Sequence, residues 1–488
     1  MAPPALAKND PINIVGAGVF GLSTALHLGK RGYTNVTVFD KQPYDSTLYS
    51  YFTGCDAASA DLNKIIRSAY GSQIEYQELT FEAIEEWKKW NEKLAGGEDL
   101  PPGMSSSDRV FHNCGNLSMT DGDVLPPFEI ATIKTMEDCG HKDTQLITSD
   151  THHAAIAQKR GQGGCLDPFQ RKRRGKSSLG VLDSTGGVAI ADKACRLALH
   201  KARRHGARFI LDPTAGAFVS YLTSNSGKVA GIITKDGKSH PAALTVMACG
   251  GWTGSLLPQL DNLCEATAGS VIIYKIPRSS SLWDRTSSAN FPTWTYKMRD
   301  GAEGGLYGFP RTEDGYFKIG YRGTKYTNPQ KQGDGVERSV PITRWTEAEK
   351  LKQIPTQAMK VLKGFTEEYL PELRDEGIDI ETTRVCWYND SFDNHLIIDR
   401  VPEQDGLFVA TAGSGHAFKY LPIMGKWIVD IIEGIGMDRP AVKAWKWRVL
   451  GEQTPINVLM EGSSGVRALQ NTRLTTDADM KLRSRARL

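Results

Sequence analysis

The densest chemical signal in the chain is a spacing of glycines. Gly16-Ala17-Gly18-Val19-Phe20-Gly21 follows a short apolar run, Ile12 to Val15, and precedes an amphipathic one, Leu22 to Lys30. The first glycine permits a tight turn, the second lets a pyrophosphate approach the backbone, and the third lets a helix pack on a strand. A helix starting there aims free N–H groups and its positive dipole end at the phosphates. Asp40 closes a second apolar run, Val36 to Phe39. Its carboxylate is placed for ribose hydroxyls and disfavours a 2′-phosphate. Strand, turn, helix, strand and terminal acid together predict a dinucleotide site, with Lys41 next to the acid included in it.

FAD and NAD share this fingerprint, and two later glycine turns favour FAD. Cys249-Gly250-Gly251-Trp252-Thr253-Gly254 ends a buried run at Leu244 to Ala248. Gly413-Ser414-Gly415 follows another, Leu407 to Ala410, and opens a predicted helix to about Ile432. Three glycine turns suit an extended FAD lying over one sheet, which adds Gly250, Trp252, Gly413 and Gly415 to the cofactor residues. An NAD-dependent, opine-type dehydrogenase is the alternative of another class.

Composition narrows the remaining choices. Among 488 residues, 59 Lys and Arg stand against 56 Asp and Glu, so the net charge of +3 argues against a nucleic-acid binder. With 40% apolar and 24% charged residues the chain is globular rather than disordered, and no apolar run is long enough to predict a membrane-spanning helix. The eight cysteines are dispersed from Cys55 to Cys386 without a C-x-x-C pair. They predict free thiols in a reducing compartment and no metal site, and His152-His153 shows no ligand spacing.

These motifs require a framework. Glu75 to Leu94 reads as a long helix with Tyr76, Leu79, Phe81, Ile84, Trp87 and Trp90 on its core face. Residues 139–182 read as an irregular insertion, and Arg171-Lys172-Arg173-Arg174-Gly175-Lys176 within it as a solvated loop. Ala191 to His205 reads as a helix, and Ala207 to Leu211 and Val229 to Thr234 as a strand pair. From about 270 to 330 the chain alternates like an antiparallel sheet. The ending Ala486-Arg487-Leu488 resembles a peroxisomal address read by an import receptor; otherwise the expectation is cytoplasmic.

Three stretches carry a more specific likeness. Residues 385–399 read V-C-W-Y-N-D-S-F-D-N-H-L-I-I-D, residues 413–422 read G-S-G-H-A-F-K-Y-L-P, and Ala58-Ser59-Ala60-Asp61-Leu62-Asn63-Lys64-Ile65-Ile66-Arg67 lies between the glycine turn and the long helix. With the N-terminal fingerprint they resemble the monomeric sarcosine oxidase and fungal amadoriase (fructosyl amino acid oxidase) family, over roughly residues 10 to 435. The resemblance implies an α/β chain with an α+β substrate part. A glutathione-reductase-type FAD domain would take 1–90, 183–262 and 386–445. A discontinuous antiparallel-sheet substrate domain would take 91–182 and 263–385, and 446–488 would be a tail. It implies a monomer that oxidises a small secondary amine derived from an amino acid to an imine, with O₂ reduced to H₂O₂.

By the same resemblance Cys386 carries FAD through an 8α-S-cysteinyl bond, although the residues alone leave a small buried thiol as the alternative. Lys318 would supply positive charge to oxygen beside the flavin; alone, it could equally be a solvent-facing lysine. Arg67 and Lys419 would hold the substrate carboxylate, Lys64 is a further cation near the ring, and Ser59 and His416 border the cofactor. The amine itself is left open. Sarcosine, pipecolate, saccharopine and fructosyl amino acid oxidases share these motifs, as do fungal tailoring enzymes that close a C–C bond on an N-methyl aromatic substrate. Tyr49, Tyr51 and the 139–182 insertion point to a bulky or aromatic one.

Overall fold

The computed structural model describes residues 6–343, 352–451 and 459–481. The ending Ala486-Arg487-Leu488 lies outside them. Ile12–Val15 is the pivot of a six-stranded sheet. Val36–Asp40 and then Arg208–Leu211 lie on one side of it; Leu244–Met247, Leu407–Thr411 and Ile397–Arg400 lie on the other. All these pairings are parallel except the last. The central strands are almost wholly apolar because both faces are covered, one by helices and the other by a three-stranded antiparallel sheet that includes Val229–Thr234. Val19–Lys30 packs there with Ala191–Arg204 on one flank and Met424–Ile432 on the other.

A second sheet of eight strands supplies the other half of the molecule. Its long strands are Cys264–Lys275, Tyr316–Tyr326 and Ile380–Ser391, all antiparallel. Beyond them lie Leu306–Gly308, Thr293–Tyr296, Asn116–Met119, Gly180–Asp183 and Gln145–Ile147. One face carries Ile272, Tyr274, Phe317, Ile319, Tyr321 and Val385 into an apolar core. The opposite face looks toward the parallel sheet, and its side chains are the alternate ones.

The long helix is Ile74–Ala95, with every expected core residue except Phe81 fully buried. Four expectations need correction. Ala207 to Leu211 and Val229 to Thr234 do not pair: the first edges the parallel sheet, and Val229–Thr234 is the middle of a separate three-stranded antiparallel sheet. Residues 139–182 are not simply irregular, since Gln145–Ile147 and the start of Gly180–Asp183 belong to the eight-stranded sheet and Thr151–Lys159 is a helix. Asp150 caps that helix by accepting from the His153 N–H, and His153 Nδ1 accepts from the Ile147 N–H. The basic run is solvated at Lys172, Arg173 and Lys176, but it is pinned at Arg171 and Arg174. Arg171 is 2% exposed and bonds the Thr120 carbonyl, Arg174 pairs with Glu372 and Lys176 with Glu368. Gly413 to Gly415 opens only a three-residue-per-turn segment, Ala417–Tyr420; the helix proper begins at Met424, after Pro422, whose ring and missing N–H interrupt it.

Among the described residues no helix is long and apolar enough to cross a membrane, and no group of His, Cys, Asp and Glu could hold a metal ion.

Candidate active site

One cavity of about 700 Å³ runs between the two sheets. Its first end is built from backbone. Gly16 has φ +104°, and a Cβ there would stand 2.3 Å from the Ala248 carbonyl oxygen. A Cβ on Gly21 would stand 1.8 Å from the Gly16 carbonyl oxygen. The turn therefore closes only with glycine at both positions. Gly18, Val19 and Phe20 line the cavity, while Ala17 and Gly21 support them from behind. The helix Val19–Lys30 has no side-chain cap of its own. Instead the Val19 N–H donates to Ser59 Oγ at 3.0 Å. Asp40 accepts from the Ala17 N–H at 2.7 Å and from the Gln42 N–H at 2.8 Å, so its carboxylate is held at the strand end. Burial pushes its pKa up against those two bonds. Lys41 places its ammonium 4.5 Å from the Trp252 ring centre, with Gly250 alongside.

The middle of the cavity is built from side chains on one sheet face. Ile273 stands opposite Lys318, Val271 opposite Gly320 and Arg384, and Gly269 opposite Cys386. Period-two alternation therefore puts Lys318, Arg322, Arg384, Cys386 and Tyr388 on the same side. Gly320 makes room: a Cβ there would lie 2.1 Å from the ring of Tyr307, whose hydroxyl meets that of Tyr388 at 2.9 Å. Arg322 stacks 4.0 Å over Tyr388, packs against Gly415, and pairs with Asp390 at 3.1 Å.

Lys318 is 1% exposed. Its ammonium donates to the Asn63 carbonyl at 2.9 Å and pairs with Asp61 at 2.8 Å. Lys64 reaches the same Asp61 oxygen at 2.9 Å, and Arg384 lies 3.8 Å from the other. Burial pulls Lys318 down to about 8 against the pull of Asp61. Burial also works to raise Asp61, but the three cations outweigh it and hold the carboxyl well below its usual range. The group is thus one anion among three cations. Asp61 and Arg384 were not anticipated as site residues.

Cys386 is buried against Val271 and Ile273 on this face, near Lys318 and Arg384. It does not itself line the cavity, whereas Trp387 and Tyr388 do. Tyr49 and Tyr51 also stay out of it. Tyr49 stacks on Tyr44 and donates to the Ala17 carbonyl, and Tyr51 lies under Arg384. They give no support to an aromatic substrate.

The far end gathers unneutralised charge. Lys419 is 2% exposed, with Nζ donating to the Arg67 carbonyl at 3.0 Å and to the Tyr70 hydroxyl at 2.8 Å. Among the described residues neither Lys419 nor Arg67 has a carboxylate within ion-pair distance. The acid that influences Lys419, Asp183, already accepts from the Ser68 and Ala69 N–H groups and from two hydroxyls. Burial, aided by Arg67, drives the Lys419 pKa far down. Tyr70 was not anticipated. Its hydroxyl accepts hydrogen bonds from Lys419 and Tyr420 and donates one to His416 Nδ1 at 3.0 Å. His416 Nε2 donates to the Asn394 carbonyl, and burial pulls the ring down to about 3, so the imidazole is neutral. His416, Gly413, Gly415 and Phe20 all line the cavity.

Buried polar atoms in folded proteins are almost always paired. Around this cavity several are not: both ends of the Gln42 amide, Asn63 Oδ1, Asn389 Oδ1, Trp387 Nε1 and Arg322 Nε. The cationic lining residues outnumber the acidic ones by three. A helix terminus opening on the cavity, an acid at the strand end, orphaned amides along the length and excess positive charge fit a long, anionic, hydrogen-bonding cofactor such as FAD.

Residues 12–431 match the family model described as DAO, FAD dependent oxidoreductase. The chain is 26% identical to the L-saccharopine oxidase of Schizosaccharomyces pombe over 451 residues, 90% of this chain and 93% of that one. It is 26% identical to the human peroxisomal sarcosine oxidase over 86% of this chain and 90% of the other. The crystal structure of fructosamine oxidase from Aspergillus fumigatus (Amadoriase II) superposes with a TM-score of 0.71 at 26% identity, covering 98% of this chain and 99% of that one.

Proposed function

The chain belongs to the DAO family of FAD-dependent oxidoreductases, and from that premise we propose that it oxidises a secondary amine bearing a carboxylate, with O₂ reduced to H₂O₂. It is a flavin-dependent oxidase acting on a CH–NH donor. The observation that carries the finer reading is the pair Lys419 and Arg67, cations beside the cavity with no acid of their own. A buried, unneutralised ammonium is costly, and an incoming carboxylate removes that cost. It also raises the depressed Lys419 pKa and so fixes its charge.

When bound, FAD supplies the two-electron acceptor. The residues do the rest. Arg67 and Lys419 anchor the carboxylate and so position the adjacent C–H. His416 is neutral and its Nδ1 is engaged by Tyr70, so it is not the proton acceptor. The cluster of Lys318, Lys64 and Arg384 about Asp61 leaves positive charge where oxygen acquires negative charge. Overall the H–C–N–H unit loses two electrons and two protons, O₂ gains them, and the imine takes up water. Cys386 is read as the covalent anchor of the flavin ring. Its place on the sheet face beside Lys318 and Tyr388 supports this.

The test is peroxide release from matched pairs of secondary amines with and without the carboxylate. We expect turnover of the acids and none, or nearly none, of the decarboxylated partners; equal turnover of both would sink the reading. The acid-precipitated protein should stay yellow, and the Cys386→Ser pellet should be colourless.

A further inference from the structure

The anion site at Lys419 accounts for only the inner part of the substrate end. The helix Pro127–Asp138 also borders the cavity and presents Phe128 and Glu129 to it. Glu129 is 7% exposed. Its Oε1 accepts from Ser118 Oγ at 2.7 Å, but Oε2 is buried without a partner. Arg299, which also lines the cavity, sets its guanidinium 3.7 Å over the Phe128 ring. Among the described residues it makes no ion pair. Burial lowers its pKa, with Glu129 pulling upward and Arg67 pushing further down. The three therefore sense one another, yet Glu129 and Arg299 do not join. Arg67 is 6.0 Å from the same ring. Two cations without carboxylate partners among the described residues thus lie around Phe128, and an acid with an unused oxygen stands beside them. Gln145, on the sheet beneath, adds an unpartnered buried amide N–H₂.

Building on the function proposed above, we propose that Glu129 and Arg299 form a second recognition point for an ammonium and a carboxylate at the distal end of the substrate. The amine oxidised then joins a carboxylate-bearing carbon to a chain that ends as an amino acid. Lys419 and Arg67 take the near carboxylate, Glu129 the distal ammonium and Arg299 the distal carboxylate. Charge alternation along the cavity sets the direction of binding.

Four glycine derivatives separate the contributions: Nε-carboxymethyl-lysine, its decarboxylated form N-(5-aminopentyl)glycine, its deaminated form N-(5-carboxypentyl)glycine, and N-pentylglycine. With the wild-type holoenzyme, kcat/KM should fall in that order from the first to the last, mainly through KM. Glu129→Gln keeps the acceptor for Ser118, so the helix should stay in place. It should cut the preference for the aminopentyl over the pentyl compound tenfold or more and spare the carboxypentyl preference. Arg299→Gln should do the reverse. A wild-type enzyme indifferent to the distal end, or variants that change all four compounds equally, would overturn the proposal. Binding shifts of the visible flavin absorption report the same four affinities. Absence of turnover with every secondary amine therefore counts against the proposed function, and flat affinities count against the second recognition point.

Discussion

The two ends of the cavity are built on opposite principles. The nucleotide end is backbone: one continuous segment, Ile12 to Asp40, folds strand, turn, helix and strand, and the binding groups are N–H donors that any sequence with those glycines would offer. The substrate end is side chain. Lys318 and Arg384 are aligned by sheet register, while Asp61 and Arg67 flank the strand Asn63–Ile66, Lys419 comes from Ala417–Tyr420 and Glu129 from the helix Pro127–Asp138. Backbone recognition tolerates substitution almost everywhere except at the glycines. Side-chain recognition can be retuned one residue at a time. That difference lets one fold keep its cofactor while its amine changes.

The sharpest test removes the backbone's freedom. Gly21→Ala drives a methyl group into the Gly16 carbonyl, and nothing flexible is there to yield. Overpacking of that kind costs about 1–3 kcal/mol or more and opens the turn that cradles the phosphates. The purified variant should carry no flavin absorption. Stoichiometric FAD in it would break the contrast between the ends.

Next in size is Lys318→Met. Removing a preorganised charge from a buried site costs about 10²- to 10³-fold in rate. The loss should fall on reoxidation by O₂, followed by stopped flow, with reduction by amine nearly unchanged. Lys318 is protonated below about 8 and neutral above. Wild-type reoxidation should therefore slow as pH rises through about 8, and the variant should not respond. Equal loss in both half-reactions, or a flat wild-type profile, would remove the assigned role.

The same contrast explains what could be read in advance. The glycine turn, its strands and the aromatic face of Ile74–Ala95 obey short-range periodicities, so they were legible. Lys318, Arg67 and Lys419 were placed by likeness to a family, and all line the cavity. Asp61 stood in plain view three residues before Lys64, yet its meaning depends on Lys318 and Arg384, which approach from two other strands. A signal did exist: Lys318, Gly320 and Arg322, like Arg384, Cys386 and Tyr388, alternate with apolar neighbours, so polar groups share a face. The solvated stretch Lys172 to Lys176 is legible as such, but the half-buried Arg174 is not, because its partner Glu372 lies nearly two hundred residues away.

Lys419→Met comes third. It deletes one of two charge-assisted contacts to the carboxylate, worth about 1.5–3 kcal/mol, or roughly 10- to 100-fold in kcat/KM. The effect should appear in KM for carboxylated amines. The ratio of acid to decarboxylated amine should shrink by the same factor. A KM that does not move would mean the anion is held elsewhere.

The smallest expected effect probes the seam between the ends. Ser59 accepts the Val19 N–H at the phosphate turn, and it stands two residues before Asp61, the centre of the cation cluster. Ser59→Ala removes a helix-terminal acceptor, a loss of about 1 kcal/mol. If the ends are independent, the cost is confined to the nucleotide end: FAD binds severalfold more weakly in a reversible, Cys386→Ser background, while the pH dependence of reoxidation stays at its wild-type midpoint. If that midpoint moves, Asp61 has moved with Ser59. The segment Ala58 to Arg67 would then transmit cofactor binding to the oxygen site, making the two ends one unit rather than two.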